Sequence, residues 1–71
     1  MTIQALSMPH PTFQVTVSDG TEVEEHTVVG LPRYRDNQAW LEFVVRRGDQ
    51  THVVALFPAA RVLSVILTES V

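Results

Sequence analysis

Twenty-one of the 71 residues are β-branched: twelve valines, two isoleucines and seven threonines. Branching at Cβ costs χ1 freedom in a helix and suits the pleated surface of a sheet. The chain is also 45% hydrophobic and only 18% charged, too apolar for disorder. An all-β domain is the consequence. Its length allows one small domain and little more.

Several function classes fall away on composition. There is no cysteine, hence no disulfide framework, thiol nucleophile or zinc ribbon. The net charge of −3 lacks the basic face that a duplex-DNA binder needs. No apolar run approaches the roughly 18 residues of a membrane-spanning helix. No basic region precedes an apolar stretch, so no signal peptide is expected. The expected location is cytoplasmic, or the host cytoplasm for a phage-encoded chain.

Residues 1–12 (MTIQALSMPHPT) read as an N-terminal arm or one short helical turn carrying Ile3, Leu6 and Met8, since Pro9 and Pro11 stop a longer helix. Residues 13–68 read as a single β-barrel domain. Phe13, Val15 and Val17 alternate with Gln14 and Thr16, the period of a half-buried strand. A three-residue turn at Ser18-Asp19-Gly20 would pair Val15 with Val23 and keep the apolar faces aligned. The returning strand, residues 21–29, changes phase between Val23 and Val28, which predicts a bulge near Glu25-His26. Residues 33–38 (RYRDNQ) read as a polar loop.

A third strand spans residues 39–45, with Leu41, Phe43 and Val45 on one face. A two-residue Gly48-Asp49 turn would set Val45 against His52, Phe43 against Val54 and Leu41 against Leu56. Residues 53–57 are apolar on both faces, as in a central strand or one covered by another chain. Residues 58–61 break the strand and can form one 3₁₀ turn. The last strand covers residues 62–68. Five strongly bent strands would close into a barrel, which removes bare edges.

The run Phe57-Pro58-Ala59-Ala60-Arg61-Val62 resembles the segment before the last strand of Src-homology-three (SH3-like) barrels, and the order of hairpins fits. The aromatic ligand motif of that family is absent, so the resemblance implies the barrel and not peptide binding. Residues 15–42 also resemble the first motif of Sm-like RNA-binding proteins, through Val15, Val17, Gly20, Val23 and Asn37. That family's second motif, an arginine-glycine pair, has no counterpart near residues 56–66. Both resemblances concern architecture more than function.

Chemistry-bearing residues are sparse. His10, His26 and His52 have no metal-ligand spacing beyond Glu24 and His26 on one strand face, and two ligands do not close a tetrahedral site. His52, opposite Val45, is expected to be a partly buried structural histidine. Ser7, Ser18, Ser64 and Ser70 form no nucleophile elbow, and the three glycines sit in separate turns rather than a phosphate loop. No catalytic residue, metal, cofactor or small-molecule substrate is expected, and the chain is read as a non-enzyme. Asp19, Glu22, Glu24 and Glu25 make an acidic hairpin suited to orienting a basic partner. Arginine supplies all five cations, and four lie at 33, 35, 46 and 47. Arg33, Tyr34, Arg35, Trp40, Arg46 and Arg47 are the candidate partner-binding residues, because arginine forks and aromatics recur at interfaces.

Two readings follow. One is an accessory, assembly or inhibitor module that self-associates or docks on a larger protein. The other is an Sm-like ring subunit that binds single-stranded RNA through those arginines and aromatics.

Overall fold

The structure, a computed structural model, describes residues 10–70. It is all-β. Strands β1 (Thr12–Ser18), β2 (Val23–Val29), β3 (Leu31–Arg35), β4 (Trp40–Arg47), β5 (Gln50–Pro58) and β6 (Val62–Glu69) are joined by turns, with a 3₁₀ turn at Ala59–Arg61 before β6. They form two three-stranded antiparallel sheets, ordered β2-β1-β6 and β3-β4-β5. The 3₁₀ turn lies where the sequence places it. The proposed helical turn at Ile3, Leu6 and Met8 falls outside the described residues.

The described residues form six strands, not five. Residues 33–35 of the expected polar loop belong instead to β3, Leu31–Arg35, whose alternation suits an edge strand. Leu31, Arg33 and Arg35 pair with Val44, Glu42 and Trp40 on one face. Pro32 and Tyr34 pair with Phe43 and Leu41 on the other. Proline is tolerated there because β3 is an edge. Only residues 36–39 remain as turn, where Asp36, Asn37 and Gln38 all take left-handed φ values of 55–69°.

β2 and β3 are separated by Gly30 alone, and the chain crosses there from one sheet to the other. Its amide donates to the Pro11 carbonyl at 2.9 Å. The opposite crossing, from β5 to β6, uses Pro58 and the 3₁₀ turn, anchored by Ala59 N–H donating to the Ala39 carbonyl. β5 and β6 share that corner but no ladder, so the barrel does not close.

The first hairpin has a loop one residue longer than expected and a register shifted by three. Ser18 faces Val23 across a four-residue loop, so Val15 pairs with His26 and not with Val23. The Asp19 side chain sets the loop length: its Oδ1 accepts from the Thr21 and Glu22 amides and the Thr21 hydroxyl, at 2.8–2.9 Å. With this register β2 needs no bulge at Glu25-His26; Val28 turns inward and Val29 outward. The second hairpin keeps the two-residue turn and the Val45–His52 pair. An irregularity between Phe43 and Val44 then shifts Phe43 onto Ala55 and Leu41 onto Phe57.

The core lies between the sheets. Val15, Val28, Leu41 and Phe43 are buried, with Phe13, Val17, Ala55, Phe57 and Val62 packed around them. Phe43 is fully enclosed, its ring 5.7 Å from Phe13 and 6.2 Å, edge-on, from Phe57. No helix among the described residues is long and apolar enough to cross a membrane.

Candidate functional site

The six candidate partner-binding residues do not converge. Arg33, Arg35 and Trp40 share the outer face of the β3-β4-β5 sheet, whereas Tyr34 lies on the inner face. Arg46 and Arg47 sit at the far end of β4, opposite Thr51 and Gln50. At about 3.3 Å per residue, Trp40 and Arg46 are about 20 Å apart along the strand.

Arg33 and Arg35 are already occupied. Glu42, 2% exposed and in the centre of the sheet, accepts from Arg33 Nε and, at 3.2 Å, from Arg35 Nη1. Asp36 lies 3.8 Å from Arg35 Nε as well. The hydrogen bond from Arg33, aided by both guanidinium charges, holds the Glu42 carboxyl below the usual range against desolvation. Two arginines and two carboxylates leave this cluster near neutrality. Glu42 is the residue that sequence reasoning missed. A lone acid between Trp40 and Val44 in an apolar strand marks it only once residues 31–35 are known to be its neighbouring strand.

The acidic hairpin is exposed but divided. Asp19 is committed to its own loop, and the Glu22 and Thr21 amides lower its pKa to about 2. Glu24 lies on the Val17 face of the sheet, exposed, beside His26, whose Nε2 is 3.3 Å from Glu24 Oε1. Glu25 pairs with Thr16 on the opposite face. A shallow cleft of about 90 Å³ runs between this hairpin and the 3₁₀ corner, lined by Asp19, Glu22, Glu24, Phe57 and Arg61 among others. His26 stacks at a tilt 5.4 Å from Phe57. His52 is exposed, contrary to the partly buried place expected, because its end of β5 runs beyond the inter-sheet core. His10 Nε2 accepts the Arg46 amide at 3.0 Å, where β3 no longer pairs with β4. No group of three or more potential metal ligands occurs among the described residues.

The largest chemical contrast lies at the sheet edges. β2 carries Glu24, Glu25 and His26, and β3 carries Pro32, Arg33 and Arg35. Charges and proline of this kind guard an edge against further pairing. β5 has no Asp, Glu, Lys or Arg, and β6 has one charge, at its last residue. Val53, Val54 and Leu56 on β5, and Leu63, Val65, Ile66 and Leu67 on β6, are 37–59% exposed. An open groove of about 260 Å³, lined by Pro32, Arg33, Tyr34, Leu41 and Val65, adjoins β6 between the sheets.

No family model, curated protein or solved structure matches this chain.

Proposed function

We propose that this chain is a non-enzymatic protein-interaction module, an accessory, assembly or inhibitor protein whose contact surfaces are the two uncharged sheet edges, β5 and β6. The single observation behind this reading is the unequal treatment of the four edges: two guarded by charge or proline, two bare and aliphatic. Seven exposed aliphatic side chains lie along these two edges, three on β5 and four on β6, and rows of this kind mark interaction surfaces more than scattered single ones do. The acidic hairpin, through Glu22, Glu24 and Glu25, gives a basic partner its orientation. A small, strongly bent SH3-like architecture and a cytoplasmic setting belong to the same reading. The paired hairpins and the 3₁₀ turn before the last strand support that architecture.

An Sm-like RNA-binding subunit is the second reading. It draws on Arg46 and Arg47, both exposed beside the Gly48-Asp49 turn. It ranks lower because Glu42 ties down Arg33 and Arg35. Salt-sensitive binding of a single-stranded oligonucleotide, lost on replacing Arg46 and Arg47 by alanine, would raise it above the first.

The absence of cysteine allows a direct test. A cysteine-reactive photo-crosslinker is placed at Val53→Cys, Ile66→Cys or, as a control on the guarded β2 edge, Glu25→Cys. Protein adducts from positions 53 and 66, but not 25, are expected in cells expressing the full chain. No adduct from either bare edge, together with a monomeric purified chain, would retire the reading.

A further inference from the structure

We propose that the partner on β6 is a second copy of this chain, joined antiparallel across a twofold axis at Ile66 so that two three-stranded sheets become one of six strands. This rests on the interaction-module reading and specifies the partner for one of its two edges.

The argument begins with the strand itself. Within β6, Leu63, Val65, Ile66 and Leu67 are 59%, 37%, 56% and 52% exposed, apolar on both faces of the sheet. A strand of that pattern belongs inside a sheet. Its inner neighbour β1 is paired already, and its outer edge has no ladder partner among the described residues. β5 is the weaker edge. It begins with Gln50, Thr51 and His52, ends in Pro58, and is irregular opposite Val44.

A second copy fits this edge in both chemistry and size. Residues 64–67 form the regular stretch of β6, between irregularities at Leu63 and Thr68. A twofold perpendicular to the sheet at Ile66 sets Ile66 opposite its own equivalent. It also sets Val65 opposite Leu67 of the second copy, twice, on the inner face. These three central pairs set aliphatic against aliphatic, the cross-strand pairing that stabilises sheets, while Ser64 meets Thr68 and Leu63 meets Glu69 of the second copy towards the strand ends. The one charge on β6, Glu69, lies at the strand end, away from the axis. Val65 also lines the open groove with Pro32, Tyr34 and Leu41, so the added strand continues the cover over that opening. Pairing of the two β6 edges, with the adjoining groove rim, buries on the order of 1,000 Å² in total, the threshold of a specific interface. Closed twofold association is the commonest oligomer symmetry.

The experiment uses the full chain. Light scattering is expected to give twice the 7.9 kDa chain mass. Ile66→Lys is expected to give single-chain mass with an unchanged far-ultraviolet spectrum, while Val53→Lys leaves the dimer intact. If Ile66→Lys does not fold, Ile66→Cys decides the matter. A cysteine on the axis meets its equivalent at disulfide distance and should form a linked dimer under mild oxidation. Val53→Cys should not. A monomeric natural chain, a larger ring, or a dimer that Val53→Lys dissociates and Ile66→Cys cannot link would overturn the proposal. A monomeric chain that still yields photo-adducts with another protein at position 66 would overturn this inference and leave the interaction-module reading standing.

Discussion

Gly30 lies against Val44 so closely that a Cβ at position 30 would stand 2.9 Å from the Val44 carbonyl oxygen. Its φ of +156° is also one that residues with a side chain rarely adopt. Both facts follow from its place as the single residue joining β2 to β3 across the two sheets. Gly30→Ala must therefore move the backbone of β4 or the crossing itself. A loss of about 2 kcal/mol is expected, which is a fall of about 10 °C in Tm for a domain of this size. Thermal unfolding followed by circular dichroism measures it. Gly20→Ala is a useful contrast, because a Cβ there meets nothing within 4 Å although its φ is +101°.

Phe43 carries the core. It is fully buried between Phe13 and Phe57 and belongs to the central strand of its sheet. Phe43→Ala should cost about 4 kcal/mol through lost transfer energy and the cavity left behind. A chain this short is expected to have only about 7 kcal/mol of stability. The variant should therefore unfold at much lower urea concentration than the natural chain. Val53→Ala, at a half-exposed site, should barely move the midpoint.

His10 replaces a missing strand. Beyond Val44 the β3 side of β4 has no ladder partner among the described residues, and the His10 imidazole accepts the Arg46 amide there. His10→Ala leaves that amide without its acceptor. A net loss of about 1 kcal/mol is expected. The decisive readout is local: hydrogen exchange at the Arg46 amide should quicken while exchange at Phe43 falls only with global stability.

Glu42 shows where the sequence is legible and where it is not. Alternation finds β1, β4 and the Val45–His52 end of the β4–β5 hairpin, because period-two patterning has one physical cause, burial of one face; past Val44 the irregularity turns Ala55 and Phe57 inward in place of Val54 and Leu56. The 3₁₀ corner is legible for the same local reason, a proline followed by small residues. β3 is hidden because all five of its residues are exposed and three are arginine or proline, so it resembles a loop until β4 is placed beside it. The Glu42 site stays hidden with it, since its meaning depends on a register between residues nine apart. The first hairpin's register was decided by side-chain hydrogen bonds from Asp19, which hydrophobic parity does not encode. Barrel closure fails on a tertiary point: two apolar edges adjoining one corner need not pair with each other.

The acid limb of stability should depend on Asp19. Its pKa in the folded protein is about 2, against 3.8 for the unperturbed group, chiefly because the Glu22 and Thr21 amides donate to its carboxylate. The unfolded chain therefore takes up the proton first as pH falls. The stabilisation is fully present above pH 3.8 and is lost as the pH falls from there towards 2. Asn at this position keeps an acceptor oxygen but does not ionise. Urea midpoints of the natural chain and Asp19→Asn should differ most near neutrality and converge as the pH approaches 2. Glu42, whose carboxyl is also lowered, stays in both proteins and cancels from the difference. Parallel midpoint curves through this range would mean that the Asp19 loop contacts do not persist in solution.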